Sequence, residues 1–453
     1  MYDSESNVTS CSRWDYDRVI TPESVVTQFD LVCGNDYLRS LGSSVYMGSK
    51  MLGSILFGLL SDKFGRKKMI VVSSLMVAVF GVATSFSPNM ITWIILRGMV
   101  ALSGTGLFLC GFVYCMEIVG GIWSTIISFG LEYSWATGYL TIPLIAWALP
   151  RWSDLQLGIS VPTAVFTCIM IIPGLVPESP RWLLVSGRKE EAEEVIQKIE
   201  KINGRDNSKN NAEMVNTKEE EVEKGTLLDL LKSGPLLRCT LIMYYLWFTN
   251  NLVYYGFTLN SGSLFPGNLH INMLISAALE YLAYTVSIFS FLYLGRRWST
   301  SVFMSACGLA LIITPFLPTD SSKAALAQVG KFFITASFAM VYQYATEMFP
   351  TVVRNAGIGS CSTFSRIGSI IAPYVGRELV KIKTIKLILT TVQIFQARVS
   401  PIAPMLLFGF TSLLAGILTL FLPETKNARL PDTIKEGEEF CRSSKLKCLQ
   451  KCC

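Results

Sequence analysis

A chain of 453 residues that is 51% hydrophobic and only 16% charged is not composed like a water-soluble domain, where about a quarter of residues carry charge. Its formal charge of +6 collects in a few short loops, so it reads as a topology signal and not as a nucleic-acid surface. His270 is the single histidine. No Cys/His metal spacing, nucleophile elbow or phosphate-cradling loop accompanies it, which argues against an enzyme and against a bound metal or cofactor.

Residues 1–40 form a short polar segment. It carries the sequon Asn7–Val8–Thr9, a glycosylation candidate, and Cys11 with Cys33, candidates for pairing in an oxidising compartment. Eleven apolar runs follow, at 41–60, 69–87, 91–115, 123–149, 156–176, 239–257, 271–294, 298–317, 325–346, 355–375 and 402–422. A helix needs about 20 residues to cross roughly 30 Å of hydrocarbon, so each run is a candidate span. The loop "SDKFGRKK" at 61–68 holds four basic residues, and the Arg296–Arg297 and Arg354 loops have the same sense, whereas loops 88–90 and 258–270 hold none. Basic loops stay in the cytoplasm, so the N-terminal tail lies outside. The chain reads as an all-α, multi-pass membrane protein.

Between the two groups of runs, 177–238 is a cytoplasmic central loop with the amphipathic pattern "KEEAEEVIQKIEK". A polar cytoplasmic tail occupies 423–453 and ends "CRSSKLKCLQKCC", whose cysteines sit among basic residues and are palmitoylation candidates. The remaining cysteines in and beside the runs read as packing residues.

Landmarks recur at a constant spacing. "GRKK" from Gly65 and "GRRW" from Gly295, Pro88 and Pro318, Tyr114 and Tyr344, and Glu117 and Glu347 are each 230 residues apart, while "PES" at 177 and "PET" at 423 are 246 apart. One offset over several landmarks means two homologous halves, 41–176 and 239–422, as in transporters built from parallel repeats. The 16 extra residues point to an insertion near 376–401, where "GRELVKIKTIKLILTTVQIFQARVSP" puts five basic residues on the expected outer side. The repeat also maps 239–257 onto 9–27, "TSCSRWDYDRVITPESVVT", which is too polar to span. The expectation is eleven helices of a nominal twelve, with the first helix of the first half missing.

Several stretches carry a family resemblance. "CSRWDYD" with "VVTQFDLVC", "GLLSDKFGRKK", "VPESPRWLLVSGRKEEA", "WFTNNLVYYG", "ATEMFPTVVRNAGIG" and "FLPETKNARLPDT" resemble the organic cation, organic anion and carnitine carriers of the major facilitator superfamily. The resemblance runs from about Cys11 to Thr433. It implies that superfamily's fold, a small organic ion as solute, alternating access, plasma-membrane delivery, and Na⁺ or H⁺ as coupling ion. The chain departs from the pattern at Ser124, where the family has Arg, at Leu292, where it has Asp, and at Leu282, where it has Pro. With the expected loss of one helix, these departures keep open a second reading: a truncated, transport-inactive variant that either regulates by associating with intact carriers or has no function.

Two groups of candidate residues follow. Asp62, Gly65 and Arg66 sit on a tight turn that glycine permits; with Arg97, Glu117, Arg296, Glu347 and Arg354 they form a candidate conformational latch. A plain topology anchor is the simpler alternative, but it does not call for Asp or Gly. Ionisable residues inside spans are costly and usually functional, and here they are Lys50, Arg97, Glu132, Glu280, Lys331 and Arg366. Lys50, Glu280 and Arg366 lie roughly 15–21 Å deep at helical rise, where repeat transporters bind solute. Mutual neutralisation in structural pairs is the competing account of them. For Lys331 and Glu132, snorkelling competes with function. By resemblance Trp247, Tyr254, Tyr255, Phe338 and Tyr342 join Glu280 and Arg366 as solute-contacting candidates, since aromatic faces attract organic cations and stack on flat solutes. The family resemblance also implies an acidic residue at the position of Arg366 in cation carriers and Arg in anion and carnitine carriers, so this chain resembles a zwitterion or anion carrier.

Overall fold

The computed structural model describes residues 14–16, 23–119, 122–172, 176–204, 230, 232–259, 269–381, 402–426, 428, 431 and 433–449. Among them are fifteen α-helices and no β-strand. The first half comprises α1 (Val25–Gln28), α2 (Tyr37–Phe64), α3 (Arg66–Ser85), α4 (Met90–Ile118), α5 (Ile122–Ala148) and α6 (Trp152–Ile171). Two central-loop helices follow, α7 (Pro180–Val185) and α8 (Lys189–Ile202). The second half holds α9 (Gly234–Leu259), α10 (Leu269–Tyr293), α11 (Arg296–Ile313), α12 (Asp320–Met348), α13 (Arg354–Lys381) and α14 (Ile402–Thr419), and the tail adds α15 (Ile434–Leu449).

Each of the eleven apolar runs falls on one long helix. Seven of these helices, α3, α4, α6, α10, α11, α12 and α14, are long and apolar enough to cross a membrane by length and composition. Of the other four, α2 is interrupted by Lys50, α5 by Glu132, α9 by Asn250 and Asn251, and α13 by Arg366. These four helices, each carrying polar or charged residues mid-span, meet in the interior. There α2 packs on α13 and α5 on α10, joining the two halves, while α9 packs on α13. Apolar side chains face outward instead: Trp147 is 81% exposed, and Leu59, Ile91 and Leu52 are exposed as well. Patches of that extent suit lipid, not water.

Local chemistry sets the helix ends. Asn89 caps α4 by accepting from Thr92 N (2.8 Å), Ser179 caps α7 from Trp182 N (3.2 Å), and Thr319 caps α12 from Ser322 N (3.2 Å). Gly65 (φ 103°) and Gly295 (φ 90°) turn the chain between α2 and α3 and between α10 and α11 in a backbone region that favours glycine. At the opposite end of the bundle from those turns, Trp152 N donates to Glu23 O (3.2 Å), so the segment ahead of α2 lies against the α5–α6 turn. Among the described residues of 9–27, the only helical ones belong to the four-residue α1, whereas their repeat partner α9 is a 26-residue helix through the second half's core. Residues 382–401, most of the expected insertion, lie outside the described residues, as do Asn7, Cys11 and the last four residues of the tail; Cys33 is an exposed free thiol.

Helices α11 and α14 approach through glycine. A Cβ at Gly308 would stand 2.6 Å from Leu413 N and 2.7 Å from Gly409 O, both backbone atoms that cannot swing aside. Gly308→Leu is therefore expected to destabilise the second half by about 1–3 kcal/mol. Gly111→Ala, where nothing lies within 4 Å, should melt with the parent. Thermal melting of the purified variants checks both.

Candidate functional site

At the end of the bundle that carries the basic loops, each half holds the same ionic knot. In the first half Arg66 reaches from the start of α3 to the end of α4, where its Nε and Nη2 donate to Glu117 (3.0 and 2.9 Å). Its Nη1 donates to Ser61 O (2.9 Å), and Nη2 pairs with Asp62 (3.0 Å). Glu178 closes the knot by accepting backbone N–H groups of Arg66 (3.0 Å), Lys67 (2.9 Å) and Ser179 (3.0 Å). A carboxylate at a helix N-terminus is stabilised both by those donors and by the helix dipole. Gly65 leaves room for it, since a Cβ there would lie 2.5 Å from Glu178 Oε2.

The second half repeats the arrangement. Arg296 Nε and Nη2 donate to Glu347 (2.8 and 2.9 Å), and Glu424 accepts from the N–H groups of Arg296 (2.8 Å) and Arg297 (3.2 Å). A Cβ on Gly295 would meet Glu424 at 2.9 Å. Tyr114 OH donates to Pro177 O (2.8 Å), and its repeat partner Tyr344 donates to Pro423 O. These contacts tie the elements of one half to each other. Arg354 stands beside the second knot, its Nε donating to Phe349 O (3.4 Å).

A second group of side chains gathers where the halves meet. Trp247 and Tyr342 pack at a 53° tilt with ring centroids 4.1 Å apart, Phe338 lies 5.5 Å from Tyr342 and 5.4 Å from Tyr254, and Tyr254 is 5.3 Å from Tyr255. Tyr254 OH donates to Glu280 Oε1 (2.9 Å) and accepts from Trp135 Nε1 on α5 (3.0 Å). Glu280, 1% exposed, pairs with Lys331, 2% exposed, at 3.4 Å, and Lys331 Nζ donates to Tyr139 OH on α5 (3.1 Å). Two further bonds cross between α5 and α10: Tyr133 OH with Thr285 Oγ1 (2.8 Å) and Thr137 Oγ1 with Tyr281 OH (2.6 Å). On the other seam Ser44 Oγ donates to Ile370 O (2.7 Å).

Beside this group two cations lie over Tyr46. Lys50 Nζ is 5.1 Å and Arg97 Cζ 5.0 Å from its ring centroid, and Arg366 stands on α13, which packs against α2. None of the three has a carboxylate within 4.0 Å among the described residues, and the buried Arg366 Nε has no hydrogen-bond partner. Charge in the bundle interior is thus lopsided. Glu280 and Lys331 neutralise each other, which leaves Lys50, Arg97 and Arg366 against the single carboxylate of Glu132, an excess of two positive charges among the ionisable residues of the spans.

Comparison with known proteins places this geometry. The sugar (and other) transporter family matches residues 4–433. The Drosophila melanogaster organic cation transporter protein is 34% identical over 449 residues, covering 96% of this chain and 78% of the relative. The chain belongs to the organic-ion carriers of the major facilitator superfamily. Human organic cation/carnitine transporter 2 is 33% identical (93% of this chain, 73% of the relative), and mouse solute carrier family 22 member 3 is 32% identical (98% and 77%). In three dimensions, the inward-open xylose transporter XylE from E. coli superposes with a TM-score of 0.65 at 17% identity, covering 92% of this chain and 93% of that one. The fold of this organic-ion carrier is therefore that of the superfamily, and it is a multi-pass membrane protein.

Against the sequence, the carrier's structure brings six of the seven solute-contacting candidates into one connected group, with Arg366 on α13, which packs on α9. It separates Arg97 from the cytoplasmic set. Arg97 stacks on Tyr46 and on Trp93 (4.9 Å), seven residues from the outer start of α4. Its place is in the interior cluster, because α4 runs through the bundle and only Glu117 lies at the cytoplasmic end. Asp62 is bonded to Arg66 one turn away, with its side chain 75% exposed. Lys331 does not snorkel; it is enclosed with Glu280. The residues absent from the sequence reading are Glu178 and Glu424, whose repeat spacing was visible in "PES" and "PET", and Tyr46, Trp135 and Tyr139, which carried no signal beyond aromaticity. Among the described residues no three His, Cys, Asp or Glu side chains come together as a metal site.

Proposed function

We propose that the chain carries small organic anions or zwitterions across the membrane by alternating access, with the solute's negative group received between Lys50, Arg97 and Arg366. The observation that supports this is a group of interior cations, Lys50 and Arg97 over aromatic rings and Arg366 with an unpartnered Nε on the adjoining α13, none with a carboxylate within 4.0 Å among the described residues. Burying such charges is expensive without a partner, and a solute carboxylate supplies one at each loading. Neighbouring rings of Tyr255, Phe338 and Tyr342 offer stacking area for the rest of the molecule. Each cytoplasmic knot holds its half as a body that rocks against the other.

Arg366→Asp tests the reading. A charge-assisted hydrogen bond contributes about 1.5–3 kcal/mol, so carboxylate uptake should fall tenfold or more, with Arg366→Lys retaining part of it. Surface level should be matched by biotinylation. Carboxylate uptake unchanged by the swap would make Arg366 structural and remove the anion reading.

A further inference from the structure

Lys50 lies midway along α2, thirteen residues from Tyr37 and fourteen from Phe64. At 1.5 Å per residue either end is about 20 Å away, too far for a lysine stem to carry its ammonium to the interface. Its Nζ instead faces three rings: Tyr46 at 5.1 Å, Trp135 at 5.4 Å and Tyr255 at 5.8 Å. Those rings come from α2, α5 and α9, so both halves of the carrier contribute. An ammonium ringed by aromatic faces is the arrangement by which proteins hold quaternary ammonium ligands. Here the chain's own side chain fills it. The Tyr46 ring is further engaged by Arg97 at 5.0 Å, so a third cation arriving there would meet two fixed positive charges and no free ring.

We infer that Lys50 is a tethered occupant of an ammonium-binding aromatic cage: it keeps organic cations out, and removing it opens the cage to a quaternary ammonium solute. The inference rests on the reading that solute passes through this junction, and it adds a selectivity residue and a latent ligand class. Lys50 is a specificity determinant because it competes for the same ring faces that an alkylammonium would use. Lys50 takes part in both the anion site and the cage, and Arg366 in the anion site alone, so Arg366→Asp separates the two roles.

The test is direct binding of radiolabelled tetraethylammonium to the full chain in lipid nanodiscs. The parent should show no saturable binding, and Lys50→Arg, which keeps a cation in the cage, should behave likewise. Lys50→Ala should bind with about a tenfold or larger gain, and adding Tyr255→Leu should erase it. Lys50→Ser carries the same expectation should the alanine variant fail to give a monodisperse, cooperatively melting sample. Saturable binding to the parent overturns the inference whatever the variants do, as does a folded Lys50→Ala or Lys50→Ser with no gain. If the gain occurs while Arg366→Asp leaves carboxylate uptake intact, the cage stands and the anion reading falls.

Discussion

Gly65→Val is expected to lose most of its uptake and to melt well below the parent. Two costs coincide at this position. The backbone sits at φ 103°, a region that a β-branched residue avoids. The new Cβ would also lie 2.5 Å from Glu178 Oε2, a carboxylate anchored by three backbone N–H groups. Moving it aside forfeits hydrogen bonds to a charged group, each contributing about 1.5–3 kcal/mol. The whole first-half knot then loosens, because Arg66 is oriented by Glu117 and Glu178 together. Gly295→Val should act the same way through Glu424. Asp62→Asn is the contrasting case: its mostly exposed pair with Arg66 one turn away should contribute no more than about 1 kcal/mol. Thermal melting and uptake on the same preparations decide the matter. Gly65→Val with parental melting and uptake would reduce the motif to a topology anchor.

The difference between Gly65 and Asp62 shows what was legible in the sequence. A 20-residue apolar run is a local signal with one structural solution in lipid, so every run found its helix. The 230-residue repeat paired Gly65 with Gly295, Arg66 with Arg296 and Glu117 with Glu347, and the structure makes them equivalent contacts. Ligands distant in sequence were less visible. Glu178 closes on Arg66 across 112 residues, and no periodicity marks such a closure. For Lys331 the sequence leaves snorkelling open against function, but α12 starts at Asp320 and buries the ammonium against α10 and α5. The cage around Lys50 needs rings from three helices whose relative rotation no single-helix pattern specifies. Depth alone identified Lys50 as worth attention; its partners came only with packing.

The same limit applies to the buried pair, where the expected effect is large. Lys331→Met should be retained inside the cell or unfold in detergent, while Glu280→Gln/Lys331→Met should recover much of the parental melting. Glu280 and Lys331 are almost wholly enclosed, 3.4 Å apart, and each is braced by a phenol: Tyr254 OH at 2.9 Å and Tyr139 OH at 3.1 Å. Removing one partner strands the other charge in a buried position, which costs about 3–5 kcal/mol. Removing both leaves neutral groups, and Gln can still accept from Tyr254. The two single substitutions should therefore fail to add, with a coupling on the order of 1–3 kcal/mol. Transport should not recover with stability. Tyr139 and Trp135 belong to the first half, and Lys331, Glu280 and Tyr254 to the second, so the chain Trp135–Tyr254–Glu280–Lys331–Tyr139 is a polar bridge between the two bodies that must rock. A double variant that melts like the parent yet takes up solute at a small fraction of its rate would assign the bridge to the transport cycle. Additive single effects with full uptake in the double variant would leave the pair a mere filler of the core.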